Sequence, residues 1–143
     1  MEFNNLSYIA LNTNNSIVID ALIGLTNLTA LKLTTSDPSI LGPLAGLTNL
    51  TWLDLESNNL TEINTLTGLT NLTGLNLESN KLTDISPLTE LINLGWLKLN
   101  NNELTDIIPL KALVNLERLY IEDNNITDFS PLDDLTSLKE LEK

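Results

Sequence analysis

The chain reads as an α/β solenoid of 22-residue coils, each contributing one short strand to a parallel sheet. Leucine recurs at one place every 22 residues, at Leu25, Leu47, Leu69, Leu91, Leu113 and Leu135, with Phe3 in phase. Within each unit two apolar residues stand two apart, as at Leu75 and Leu77, which is the spacing of a strand. A Pro-Leu pair then closes most units, at Pro43, Pro87, Pro109 and Pro131. Proline lacks a backbone donor and fixes φ, so it suits a helical turn or extended return segment rather than a central strand.

The repeats run 3–24, 25–46, 47–68, 69–90, 91–112 and 113–134, with a truncated seventh at 135–143, and form one domain. In Leu72-Thr73-Gly74-Leu75-Asn76-Leu77 the leucines point one way while Gly74 and Asn76 point the other. A full circuit sets the next strand beside the last, parallel and roughly 4.8 Å away. Asparagines at the twelfth place (Asn14, Asn58, Asn80, Asn102, Asn124) can donate and accept on the inside of a turn and should form a ladder. Ser36 interrupts that column and Pro38 replaces the leucine seen later at Leu60 and Leu82, so repeat two should be the least regular. Asp84, Asp106 and Asp128 precede the prolines and read as caps for the free amides of the return turn. The polar first repeat (Asn12, Thr13, Asn14, Asn15, Ser16) and the charged last strand (Lys139, Glu140, Glu142, Lys143) read as makeshift end caps. Should they fail, the strand 7–11 of one molecule could pair with 139–143 of another, although a monomer is expected.

Composition narrows the partners. A net charge of −12, with seven Lys and Arg in 143 residues, argues against nucleic acid or anionic membrane and favours basic ligands. No apolar run approaches the ~20 residues of a membrane span, and Met1-Glu2-Phe3-Asn4-Asn5 has neither the basic end nor the apolar stretch of a signal peptide. With no cysteine or histidine, thiolate metal sites and the Ser-His-Asp and Cys-His catalytic routes are closed, and no cofactor is expected. Asn-X-Thr sequons at Asn27, Asn49, Asn71 and Asn125 read as by-products of the repeat.

The unit from Leu69 to Leu88, Leu-Thr-Asn-Leu-Thr-x-Leu-x-Leu-x-x-Asn-x-Leu-Thr-Asp-Ile-x-Pro-Leu, resembles the leucine-rich repeat of bacterial internalins. The resemblance covers nearly the whole chain. It implies a curved, right-handed coil with strands on a concave face, short 3₁₀ turns on the convex face, and protein recognition at a bacterial surface. Proteins of that kind usually carry a signal peptide, a helical cap and an anchoring module, so the chain reads as a fragment or an engineered array.

Residues at the sixth, eighth, tenth, eleventh and thirteenth places should escape the core on the strand side. The sixth column runs Tyr8, Ala30, Trp52, Gly74, Trp96, Arg118, Glu140, and the eighth includes Lys32, Asp54, Asn76, Lys98 and Tyr120. Strand spacing puts the two tryptophans roughly 10 Å apart across Gly74, as a slot for a flat or apolar group, with Arg118 and Tyr120 extending the patch. Glu56 and Glu78 follow in the tenth column, where neighbouring carboxylates repel and a solvated acidic rim is the plain reading. Lys32 is placed to pair with Asp54.

These residues point to a non-enzymatic module that binds a protein through Tyr8, Trp52, Asp54, Glu56, Glu78, Trp96, Lys98, Arg118 and Tyr120. A structural or designed scaffold without a ligand, and a sugar-stacking surface, are the alternatives. A glycosidase reading would rest on Glu56 and Glu78 at roughly 5 Å, but needs an enclosed acid that an open face does not offer. Ile92, Ile108 and Val114 place aliphatic groups on the convex flank where other repeats carry Thr, Ser or Asn.

Overall fold

The computed structural model describes residues 6–143; Phe3 and the rest of the first five residues lie outside them. Seven parallel strands form one open sheet in chain order: β1 (Tyr8–Asn12), β2 (Ala30–Thr34), β3 (Trp52–Asp54), β4 (Gly74–Asn76), β5 (Trp96–Lys98), β6 (Arg118–Tyr120) and β7 (Glu140–Glu142). Every pairing joins residues one period apart, such as Leu53 with Leu75 and Leu75 with Leu97. The leucine column therefore stacks into a single core: Leu31, Leu53, Leu75, Leu97 and Leu119 are fully buried, and Leu28, Leu50, Leu72, Leu94 and Leu116 lie beneath them. At roughly 1.5–3 kcal/mol per buried leucine, this column is the main source of cohesion between coils.

The return segments are 3₁₀ helices at Asn64–Leu66, Ser86–Glu90, Ile108–Ala112 and Ser130–Leu132. Asp84, Asp106 and Asp128 cap three of them, their Oδ1 atoms accepting from the amides of Ser86 (2.7 Å), Ile108 (2.7 Å) and Ser130 (2.9 Å). Those bonds hold the Asp84 and Asp128 carboxyls below their ordinary range, the amide contributing most. The first coil differs, returning through an α-helix, α1 (Ser16–Leu22), capped by Asn15. Ala21 stands where most later coils have proline, though Thr65 of repeat three lacks it too.

The twelfth-place ladder forms as the column suggests. Asn102 Nδ2 donates to Leu77 O and Leu99 O, both at 3.0 Å, while its Oδ1 accepts from Leu82 N at 3.0 Å. Asn58, Asn80 and Asn124 make equivalent contacts one period away. At the break, buried Thr35 substitutes: its hydroxyl donates to Asn14 Oδ1 (2.9 Å) and its amide donates to Asn58 Oδ1 (2.6 Å). Repeat two, expected to be the least regular, keeps a 3₁₀ return but extends it to nine residues, Pro38–Gly46, whereas the first coil changes helix type.

A second ladder is absent from the sequence reading. Third-place asparagines Asn49, Asn71, Asn93 and Asn115 each donate to the second-place carbonyl of the preceding coil, at 2.7–2.9 Å. The eleventh-place residues Ser57, Ser79, Asn101 and Asp123 take positive φ, turning the chain off the sheet. Among the described residues no buried side-chain polar atom lacks a partner.

Candidate functional site

Strand register fixes a row of sixth-place side chains: Trp52 beside Gly74, Gly74 beside Trp96, and Trp96 beside Arg118. The 10 Å slot expected between the tryptophans does not exist. Their ring centroids are 4.8 Å apart with the planes tilted by 31°. Gly74 is the reason, because the Trp52 indole lies across it: a Cβ on Gly74 would fall 2.1 Å from Trp52 Cε3 and 2.3 Å from Cζ3. Backbone spacing separates the two Cα atoms, but a bulky ring next to a residue without a side chain leans into the space. Gly74 is accordingly buried rather than forming an open floor, as is its neighbour Asn76.

Tyr120, from the eighth column and in register with Lys98, adds a third ring 5.9 Å from Trp96 at 54°. The three rings make one tilted ridge from β3 to β6, with the offset geometry that aromatic pairs favour. Trp52 remains 38% exposed at one end of the ridge, and Trp96 and Tyr120 are half-buried. Tyr8 is 55% exposed on β1, two strands from Trp52, and stands apart from the ridge.

Ion pairs flank the rings. Lys32 Nζ lies 2.7 Å from Asp54 Oδ2, as expected, and 3.7 Å from Glu56 Oε2. Lys98 Nζ lies 2.6 Å from Glu78 Oε2 and 5.8 Å from the Tyr120 ring centroid. The repulsive acidic column is therefore answered from within the sheet, since a lysine reaches each of these carboxylates. Hydrogen bonding to Asp54 raises the Lys32 ammonium pKa and hydrogen bonding to Glu78 raises that of Lys98. Arg118 Nε sits 3.4 Å from Glu140 Oε2, and a hydrogen bond to Glu140 raises the Tyr120 phenol. The Glu56 side chain is 42% exposed, and Glu56 and Glu78 have a lysine at 3.7 Å and 2.6 Å respectively, which is not the desolvated setting that raises a catalytic acid. Among the described residues no cluster of acidic groups is arranged to hold a metal ion.

The profile of the Leucine Rich repeats (2 copies) family matches residues 48–90 and 92–134. The chain belongs to the leucine-rich repeat family. Solved structures with the same repeat include internalin C2 of Listeria monocytogenes, 28% identical, with a TM-score of 0.67 over 97% of this chain and 77% of that one. A leucine-rich repeat protein of Leptospira interrogans is 26% identical, with a TM-score of 0.72 over 94% of this chain and 42% of that one. An internalin of Listeria monocytogenes, inlF, shares the fold at 24% identity and a TM-score of 0.61, over 85% of this chain. The chain spans 49% of that internalin's length. No curated protein matches it by sequence. The bacterial, internalin-type repeat inferred from Leu69 to Leu88 is thus the type these structures share, and among the described residues no helix is long and apolar enough to cross a membrane.

Proposed function

We propose that this leucine-rich repeat chain is a non-enzymatic recognition module, acting outside a bacterial cell as one monomeric domain. Its concave sheet binds a protein across Trp52, Trp96, Arg118 and Tyr120. The observation that carries the reading is the aromatic ridge, which is seated on Gly74 and partly exposed. Rigid aromatic groups give contact area at little entropic cost, and Trp, Tyr and Arg are the commonest anchors of interfaces. Lys98, Glu78, Asp54 and Glu56 would form a polar margin, with Tyr8 at the far edge. The net charge of −12 favours a basic partner. Similarity to internalins supports the extracellular setting.

Intrinsic tryptophan fluorescence tests the reading, because both indoles of the protein lie in the ridge. Titration with fractionated cell-surface proteins should give a saturable shift that Trp96→Ala abolishes and that Ile92→Lys, on the opposite flank, leaves intact. A shift produced only by a glycan panel would replace the protein partner with a sugar. No shift from any titrant would leave a scaffold.

A further inference from the structure

The face that carries the ridge has a second opening, over β2. Register sets Tyr8 of β1 beside Ala30 of β2, and Ala30 beside Trp52 of β3, so a small side chain lies between two rings. The like arrangement over Gly74 is closed, because Trp52 lies across the glycine. That lean has a converse: an indole drawn towards Trp96, with centroids 4.8 Å apart, is drawn away from Ala30. Lys32, the next residue on this face of β2, is drawn the same way, its Nζ reaching Asp54 Oδ2 of β3 at 2.7 Å.

Exposure agrees with this geometry. Gly74 is buried under the indole, whereas Ala30 is half-buried and Ala10, beside Lys32 on β1, is exposed. Tyr8 is exposed and takes part in neither of the ring contacts of the ridge. The result is an open notch with a tyrosine wall, a tryptophan wall and a floor of two alanines. Two strand spacings put the Cα atoms of the walls roughly 9.6 Å apart. A planar ring stacked between two others needs about 7 Å, twice the contact distance of carbon atoms. Charge at the margin is one-sided: β1 carries no charged side chain, and the single ammonium of Lys32 serves both Asp54 (2.7 Å) and Glu56 (3.7 Å), leaving one carboxylate in excess.

We infer that this notch receives one aromatic side chain of the protein partner, stacked between Tyr8 and Trp52 over Ala30, with a lysine or arginine of the same segment meeting Glu56. This assignment rests on the recognition module proposed above and names the group that it grasps. An aliphatic side chain would gain no stacking between the walls, and an acidic neighbour would meet like charge at Glu56.

The test uses the full chain with labelled alanine methyl groups, titrated with the capped peptides Gly-Lys-Trp-Lys-Gly, Gly-Lys-Leu-Lys-Gly and Gly-Glu-Trp-Glu-Gly, and with cellobiose. The ring current of the bound indole should move the Ala10 and Ala30 methyls saturably. The basic tryptophan peptide should bind about fivefold more tightly than the leucine peptide, and more tightly than the glutamate peptide. Tyr8→Ala removes one wall and should weaken that peptide about fivefold. Ala30→Leu fills the notch and should abolish its binding while the circular-dichroism couplet of Trp52 and Trp96 persists. Absent methyl shifts, no preference over the leucine or glutamate peptide, tighter binding of cellobiose, or undiminished binding in either folded variant would each overturn the notch. A partner whose fluorescence shift is abolished by Trp96→Ala and left whole by Ala30→Leu would keep the recognition module and remove the notch. Peptide binding in the notch with no partner at the ridge would do the reverse.

Discussion

Replacing Gly74 with alanine separates the seat of the ridge from the rest of the sheet. The added Cβ would lie 2.1 Å from Trp52 Cε3, where ordinary contact begins at 3.4 Å, so the indole must retreat by about 1.3 Å. The ring rests half-exposed on a flexible side chain, so it should swing away while the backbone holds. Losing the Trp52–Trp96 contact costs about 0.5–1.5 kcal/mol, and alanine returns roughly 0.5–1 kcal/mol relative to glycine within a strand. The two nearly cancel, and the melting temperature should move by no more than about 4 °C. Circular dichroism should nevertheless lose the exciton couplet of two indoles 4.8 Å apart, and tryptophan emission should shift to the red. Gly95→Ala is the control, because its nearest neighbours would be 3.8 Å and 3.9 Å away. A couplet of undiminished amplitude in Gly74→Ala would refute the seat.

Asn102→Ala removes an amide that satisfies backbone groups of two coils, and should cost about 3–5 kcal/mol, seen as a fall of roughly 10 °C in the melting temperature. The single exposed bond of Asn93 to Thr70 O predicts about 0.5 kcal/mol for Asn93→Ala, and equal losses in the two variants would contradict the ladder. The Asp84 carboxyl is depressed in the folded chain, so its stabilisation is present above the ordinary value of 3.8 and is lost as pH falls through its folded value. Asp84→Ala should therefore flatten the acid limb of stability against pH. Lys98 is raised, so its contribution is full below the ordinary 10.5 and is lost as pH climbs through its folded value. A double-mutant cycle of Lys98→Met with Glu78→Gln should give about 0.2–1 kcal/mol of coupling at neutral pH and none in strong alkali; coupling that persists there would exclude the ion pair.

Strand register was legible because every place in the repeat is occupied by one kind of residue, which leaves a single alignment of Leu53, Leu75 and Leu97. The caps at Asp84, Asp106 and Asp128 followed from local chemistry alone. What the columns did not show depends on how far side chains reach. An indole spans the width of a strand when its neighbour is glycine, so Cα spacing overstated the distance from Trp52 to Trp96. Lysine likewise reaches diagonally, and Lys98 finds Glu78 in the tenth column of the preceding coil rather than a residue of its own. The α-helix at Ser16–Leu22 did carry a signal, an Asn cap followed by a unit with no proline, which the irregular polar stretch around it obscured. The third-place asparagines are equally visible as a column, but nothing in it tells that their amides reach the preceding coil.

The ladders have a direction. Asn49 donates back to Thr26, Thr51 to Thr29, Asn80 to Leu55 and Asn102 to Leu77, while Asn80 and Asn102 accept from Leu60 and Leu82 of the coil before. In these two ladders the side chains of one coil complete main-chain groups of its predecessor. Severing the coil at a boundary spanned by Asn80 or Asn102 is therefore asymmetric in its side-chain bonds. Both pieces lose strand partners, such as Thr73 N from Thr51 O and Leu55 N from Asn76 O, but the piece that keeps the later coils is otherwise left with amide side chains that water readily solvates. The piece that keeps the earlier coils is left with main-chain groups that had been sheltered and are now bare. Growth from a ribosome meets the same asymmetry, since a newly emerged coil stays provisional until the next one arrives to seal it.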